Sequence, residues 1–193
     1  MKVKPWSFMK RIFIALRIEP TETLLEMILA FRTGLKDERI KWTDIQNFHI
    51  TLAFPGNTEE DKIKEISKML KRVCAGYGEF AVVIKGAGIF KSFSDPRIIR
   101  TGVEPSEELS SLFDEVREGL KETGITIEDR PFNPHLTFGR IKGIRDNGRL
   151  KSLIAGYQNT LIQKNEIKEV ILYESQLFPS GPVYKPLGKY ALS

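Results

Sequence analysis

Phe48-His49-Ile50-Thr51-Leu52 and Pro134-His135-Leu136-Thr137-Phe138 are two copies of one phrase. They hold the chain's only two histidines, each followed two residues later by a threonine, with apolar residues between and after. Threonine fills 11 of 193 positions, so its presence at +2 after both histidines by accident is roughly a one-in-several-hundred event. On a strand, residues two apart share a face. Each phrase therefore sets an imidazole beside a hydroxyl and turns the apolar residue between them into a core. One such tripeptide is more simply a half-buried histidine bonded to a local threonine. Two are not.

The phrases belong to a longer repeat. His49 and His135 lie 86 residues apart, as do Arg11-Ile12 and Arg97-Ile98. Glu19-Pro20-Thr21-Glu22-Thr23-Leu24 recurs as Glu104-Pro105-Ser106-Glu107-Glu108-Leu109 at an offset of 85. Each half runs strand, helix, short strand, histidine strand. Two similar lobes about a pseudo-two-fold axis are expected, with the histidine strands at its centre and a ligand cleft between the lobes. The chain, 1–193, reads as a single domain with repeat halves of approximately 9–75 and 95–165. Residues 1–8 read as a short extension.

Hydrophobic periodicity and breakers place the elements. Strands are expected at 11–16, 40–42, 49–54, 80–90, 97–103, 125–127, 135–141, 166–176 and 183–191. A bulge is expected at Gly86 or Gly88, and Pro55-Gly56-Asn57 reads as a turn. The first helix carries a capping box of Thr23 with Glu26 and an apolar stripe of Leu24, Leu25, Ile28, Leu29 and Phe31. Thr58 is expected to cap a second helix with stripe Ile63, Ile66, Met69, Leu70 and Val73. A third spans about 106–123 and a short fourth 150–157.

Composition bounds the partners. A net charge of +5 is compatible with a polyanion such as RNA and equally with a lysine-rich surface. The one cysteine, Cys74, excludes an internal disulfide and suits a reducing, cytoplasmic compartment. No apolar run approaches a membrane span, and Lys10 and Arg11 interrupt any leader-like stretch. A monomer is expected.

Two imidazoles across a cleft can share acid–base work, one taking a proton from water while the other protonates a leaving oxygen. Thr51, Thr137 and backbone amides can hold the oxygens of a phosphate. Arg130 and Arg140 frame the second phrase and would add bidentate donors, although strict alternation turns Arg140 away from His135 and both could be surface charges. Metal hydrolysis lacks an H-E-x-x-H or a carboxylate cluster. Serine or cysteine nucleophile motifs are missing, and no Walker or G-x-G-x-x-G loop suggests a nucleotide cofactor. No cofactor is expected.

With these residues in view, the chain resembles the 2H phosphoesterase superfamily, in its RNA 2′,3′-cyclic phosphodiesterase branch, historically called 2′-5′ RNA ligase. The likeness rests on Arg11–Leu16, on Asn47-Phe48-His49-Ile50-Thr51-Leu52 with Phe54 and Gly56, and on Asp95-Pro96-Arg97. It continues through Arg130-Pro131-Phe132-Asn133-Pro134-His135-Leu136-Thr137, Leu172-Tyr173 with Ser175, and Gly181–Tyr184. The resemblance implies a bilobal α+β fold whose two antiparallel sheets, with outer helices, form a central groove. It implies metal-free opening of an RNA 2′,3′-cyclic phosphate to a 2′-phosphate. His49 would be the acid and His135 the base, Thr51, Thr137 and Arg140 would bind phosphate, and Phe54 would stack on a base. On the residues alone, core packing suits Phe54 as well, and which histidine is the acid does not follow. The family's aromatic after the Pro-Arg strand start is here Arg100. Substrates would be RNA ends, including tRNA fragments, or cyclic-phosphate nucleotides. Two alternatives stand beside hydrolysis: reversible 2′-5′ joining of tRNA halves, and non-catalytic binding of RNA ends.

Overall fold

Ile50 and Leu136, repeat-mates and both fully buried, lie opposite one another on adjacent antiparallel strands. A residue faces its own repeat-mate only where a two-fold axis passes between them. The pseudo-symmetry axis therefore runs through the two histidine phrases.

The computed structural model describes residues 9–127, 131–179 and 181–193. In chain order the elements are β1 (Lys10–Arg17), α1 (Glu22–Gly34), β2 (Arg39–Trp42), a 3₁₀ turn (Ile45–Asn47), β3 (His49–Thr58), α2 (Glu60–Cys74) and β4 (Phe80–Phe90). There follow β5 (Ile98–Val103), α3 (Glu107–Glu122), β6 (His135–Gly143), α4 (Asn147–Tyr157), β7 (Leu161–Ile167), β8 (Glu169–Phe178) and β9 (Gly181–Ala191). The α+β class that the resemblance implies is the one found. The strands form one antiparallel sheet in the order β7-β4-β5-β6-β3-β1-β8-β9, with β2 paired to the part of β6 that β3 leaves free. This order is two four-stranded runs, β9-β8-β1-β3 and β7-β4-β5-β6. Where two sheets were expected, the Ile50–Leu136 pair makes one continuous sheet.

One face of that sheet is covered. Ile12, Ile14, Leu16, Ile50 and Leu136 enter a core shared with all four helices, whereas Phe13, Ala15, Ile171 and Tyr173 form a separate cluster on the opposite face. Alternation along β1 produces that division. α2 packs on α3, β8 and β9, and α3 packs on β3; α1 lies on β7 and α4, and α4 on β4. Each run of strands is thus covered by one helix from each repeat, so the halves are interwoven. Among the described residues no helix is long and apolar enough to cross a membrane.

Several local expectations change. Thr21, not Thr23, precedes α1, and its hydroxyl bonds Gln163 rather than capping the helix. Met27 is buried in α1 while Leu25 and Leu29 are exposed, because the inward stripe runs through Leu24, Met27, Ile28 and Phe31. Glu59 precedes α2, leaving Thr58 buried at the end of β3 with its hydroxyl on the Gly56 carbonyl. Pro55-Gly56-Asn57 does not turn: Gly56, at φ +76, lets β3 continue beside β1 as far as Lys10↔Thr58. Residues 125–127 are not a strand, and Leu161–Ile167 is one. The bulge in β4 falls at Gly86, at φ +70. Finally, Ala15 faces Thr51 and Arg100 faces Thr137. β1 and β5 therefore correspond at an offset of 85, and the Arg11-Ile12 match to Arg97-Ile98 is out of register by one.

Candidate functional site

Both histidine strands bulge at the same place. Along β1–β3 the register passes from Ala15↔Thr51 to Ile14↔Ala53, leaving Leu52 as an extra residue. Along β5–β6 it passes from Arg100↔Thr137 to Ile99↔Gly139, leaving Phe138 extra. Each bulge buries two consecutive residues, Leu52-Ala53 and Phe138-Gly139, and reverses the alternation beyond them. Phe54 and Arg140, repeat-mates, are thereby returned to the face that carries the histidines and threonines. Gly139 suits its place because a Cβ there would sit 3.2 Å from the Trp42 ring.

That face lines a cleft of about 640 Å³. His49, Thr51, Phe54, His135, Thr137 and Arg140 all border it. Phe54 is 48% exposed, with the Arg11 guanidinium 5.0 Å from its ring centroid, so it is a cleft residue and not a core one. Arg130 lies outside the described residues. Arg11, Lys41 and Arg140 are set against a single carboxylate, Asp44, among the lining residues. The cleft is therefore electropositive and suited to an anion.

Each imidazole is held by a main-chain oxygen. His49 Nδ1 lies 2.6 Å from the Asn47 carbonyl and His135 Nδ1 2.8 Å from that of Asn133, again repeat-mates. A carbonyl only accepts, so Nδ1 carries the proton on both rings and the neutral form keeps its lone pair on Nε2. Burial lowers both pKa values, the carbonyl bonds partly offset it, and nearby positive charge lowers them further: His135 and Arg140 act on His49, and Arg100 and Arg140 act on His135. Both rings thus favour the neutral, proton-accepting state in the empty cleft.

The surroundings of the two rings differ. Phe13 and Tyr184 pack on His49 at centroid distances of 5.0 and 5.4 Å, and Tyr173 stacks on Phe13 at 5.1 Å. Among the described residues only the Phe90 ring stands against His135, edge-on at 4.5 Å. Asn47 donates from Nδ2 to the Pro182 carbonyl at 3.1 Å, tying the start of β9 to the His49 strand. The sequence reading gave no role to Phe13, Lys41, Trp42 or Tyr184. The repeated Asn at two residues before each histidine was the available signal for the ring anchors. Cys74 is buried away from the cleft, its thiol pushed up to about 12 by desolvation. Among the described residues no group of three or more His, Cys, Asp or Glu side chains is placed to hold a metal ion.

Comparison with known proteins agrees with this fold. A Thermus thermophilus protein, TT0787, superposes with a TM-score of 0.77 at 25% identity, over 94% of this chain and 97% of its own. A Methanothermobacter thermautotrophicus protein named RNA 2′,3′-cyclic phosphodiesterase is 33% identical over 184 residues, 94% of this chain and 98% of the relative. A Thermotoga maritima protein of the same name is 36% identical over 146 residues, 76% of each. The family model for the 2′-5′ RNA ligase superfamily matches residues 42–158, a span that contains both histidine strands and the axis between them. The chain belongs to the 2′-5′ RNA ligase superfamily.

Proposed function

We propose that this protein hydrolyses the 2′,3′-cyclic phosphate at RNA ends to a 2′-phosphate, by two-histidine acid–base catalysis without a metal. The observation that carries the reading is the pair of imidazoles related by one pseudo-two-fold axis, each held through Nδ1 with Nε2 free, beside Thr51 and Thr137. A phosphorus atom on such an axis has one histidine on either side, the arrangement that in-line displacement needs. The relatives named RNA 2′,3′-cyclic phosphodiesterase support the substrate class.

His135 takes a proton from water as the water oxygen bonds to phosphorus. Charge gathers on the non-bridging oxygens, where the Thr51 and Thr137 hydroxyls and the Arg140 guanidinium meet it. The bond from phosphorus to the 3′ oxygen breaks, and protonated His49 gives that oxygen its proton, leaving a 3′-hydroxyl and a 2′-phosphate. His135 ends protonated and His49 neutral, and exchange with solvent restores the starting state. The negative phosphate stabilises the proton that His49 takes from solvent: its charge raises both imidazole pKa values, and the pair then holds one catalytic proton between them. Phe54, with Arg11 over it, offers a face for the terminal base. We place the protein in the cytoplasm as a monomer, a setting that suits its free thiol.

The test is an RNA oligonucleotide with a cyclic-phosphate end, incubated in EDTA. The expected product is the 2′-phosphate alone. His49→Ala and His135→Ala should each lower kcat by about 100- to 10,000-fold. Wild-type rates in either variant, or rescue only by added metal, would overturn the reading. Because the superfamily is named for ligation, purified tRNA halves belong in the same assay; a 2′-5′ joined product would identify the reverse reaction of the same groups.

A further inference from the structure

The cleft's two sides are built differently. Gly102 faces His135 and Arg100 faces Thr137 across the β5–β6 ladder, and Gly88 faces Arg100 across β4–β5. Partners in an antiparallel ladder share a face, so Arg100, Gly102 and Gly88 continue the face that carries His135 and Thr137. Beyond His135 and Thr137 this face shows glycine backbone at Gly102 and Gly88. Two cations lie on it: Lys85, opposite Gly102 and paired with Glu104 at 2.8 Å, and Arg100. The Arg100 guanidinium sits 4.6 Å from the Phe90 ring centroid, with Cζ 3.8 Å from where a Gly88 Cβ would be and Nη1 3.7 Å from where a Gly102 Cβ would be. A Cβ at either glycine would reach ordinary contact with the guanidinium, and one at Gly102 would also meet the Lys85 carbonyl oxygen at 2.8 Å.

This arginine is unspent. Its Nε is buried without a hydrogen-bond partner, and no carboxylate among the described residues pairs with it. On the other side of the axis its counterpart is Ala15, among Phe13, Tyr173 and Tyr184. One side of the axis is thus aromatic, and the other carries a half-buried cation beside two glycines, on the same sheet face as the cleft. Glycine within a strand marks a place where another backbone approaches closely. A guanidinium held flat on a ring presents its fork to a phosphate. From β6 to β4 this face spans two strand spacings, about 10 Å, room for one nucleotide beyond the central phosphate.

We propose that Arg100 binds the phosphodiester preceding the terminal nucleotide of a single-stranded RNA that lies across Gly102 and Gly88. The inference rests on the RNA-end reading above and extends it: Arg100 is a specificity residue for polymer ends over free cyclic mononucleotides.

The test compares three substrates, each with a 2′,3′-cyclic end: a mononucleotide, a trinucleotide, and the trinucleotide with a neutral methylphosphonate at its last internucleotide linkage. In the wild-type protein the charged trinucleotide should exceed the neutral one in kcat/KM by about tenfold. Arg100→Gln should remove most of that preference, and Arg100→Lys should keep part of it. The salt dependence of trinucleotide binding should lose about one unit of slope. Loss of the Arg100 charge also raises the His135 pKa, but that effect is common to all three substrates and cancels in the ratios. A charged-to-neutral ratio unchanged by Arg100→Gln overturns the proposal. If the wild-type protein hydrolyses none of the three, the RNA-end hydrolysis reading fails instead. The Arg100 inference is then decided by the affinity of the same RNAs ending in a 2′-phosphate.

Discussion

The two histidines are anchored alike, so their surroundings distinguish them. Nδ1 of each is bonded to a carbonyl, and the free rings are biased toward neutrality by desolvation and by Arg140 acting on both. With only two histidines in the chain, both can be followed by proton NMR. In the empty protein each should titrate below the ordinary 6.5. Arg140→Ala should move both upward, because removing a positive neighbour favours the imidazolium, and His135 should also move up in Arg100→Gln. Inorganic phosphate should raise both in the wild-type protein. A variant in which only one ring responds to Arg140 would show that the guanidinium is not shared across the axis. The histidine–threonine pairs were legible because alternation on a strand needs nothing but spacing. Their anchors were marked only by the repeated Asn47 and Asn133, since a main-chain carbonyl is the same whatever residue bears it.

At the scale of the strand, what the sequence hid is what breaks alternation. Strict period two sends Arg140 away from His135 and leaves Phe54 between core and cleft; the bulges at Leu52 and Phe138 bring both to the cleft. A bulge inserts one residue without any composition of its own, and Leu-Ala and Phe-Gly look like ordinary strand interior. The strand β7 was hidden differently. Gln163, Lys164 and Asn165 carry no apolar strand signal, yet Gln163 is 5% exposed. Its Oε1 accepts from the Thr21 amide and hydroxyl, both at 2.9 Å, and its Nε2 donates to the Glu19 carbonyl at 3.0 Å and to Asn165 Oδ1. A buried amide so fully used ties β7 to the start of α1 across the repeat boundary. Gln163→Leu keeps the size but strands the Thr21 amide and leaves the Glu19 carbonyl to Asn165 Nδ2 alone. It should cost about 1–3 kcal/mol in urea unfolding. Thr21→Val, which removes only the hydroxyl, should cost less, and the double variant should cost less than the sum of the two. Additive losses would mean that the two residues do not act as one junction.

For the molecule as a whole, the repeat was legible and its consequence was not. Two sequence halves suggest two lobes that fold in series. The structure instead crosses them: α1 leaves the first half to lie on β7 and α4, while α3 leaves the second to lie on α2 and β3. β1 needs β8 as well as β3, and β2 pairs with β6. Residues 9–75 on their own would keep β1, β3 and two helices, but expose the faces of Leu24, Met27, Ile28 and Phe31 and of Ile66, Met69, Leu70 and Val73 that other segments bury. A fragment of that size has little core to spare. It should therefore show no cooperative thermal transition by circular dichroism. The full chain should unfold in one transition, with hydrogen exchange of β1–β3 and of β4–β5 amides converging on the same opening free energy. A cooperatively melting 9–75 fragment, or slow amides in β4–β5 that survive the loss of those in β1–β3, would mean that the lobes are independent. The two histidine strands would then be held together by local pairing, Ile50 with Leu136 and β2 with β6, and not by the shared core. If they unfold together, the distance between the two rings is set by the entire core, and a large-to-small substitution as far from the cleft as Leu112→Ala should lower stability by about 2–5 kcal/mol for both strands alike.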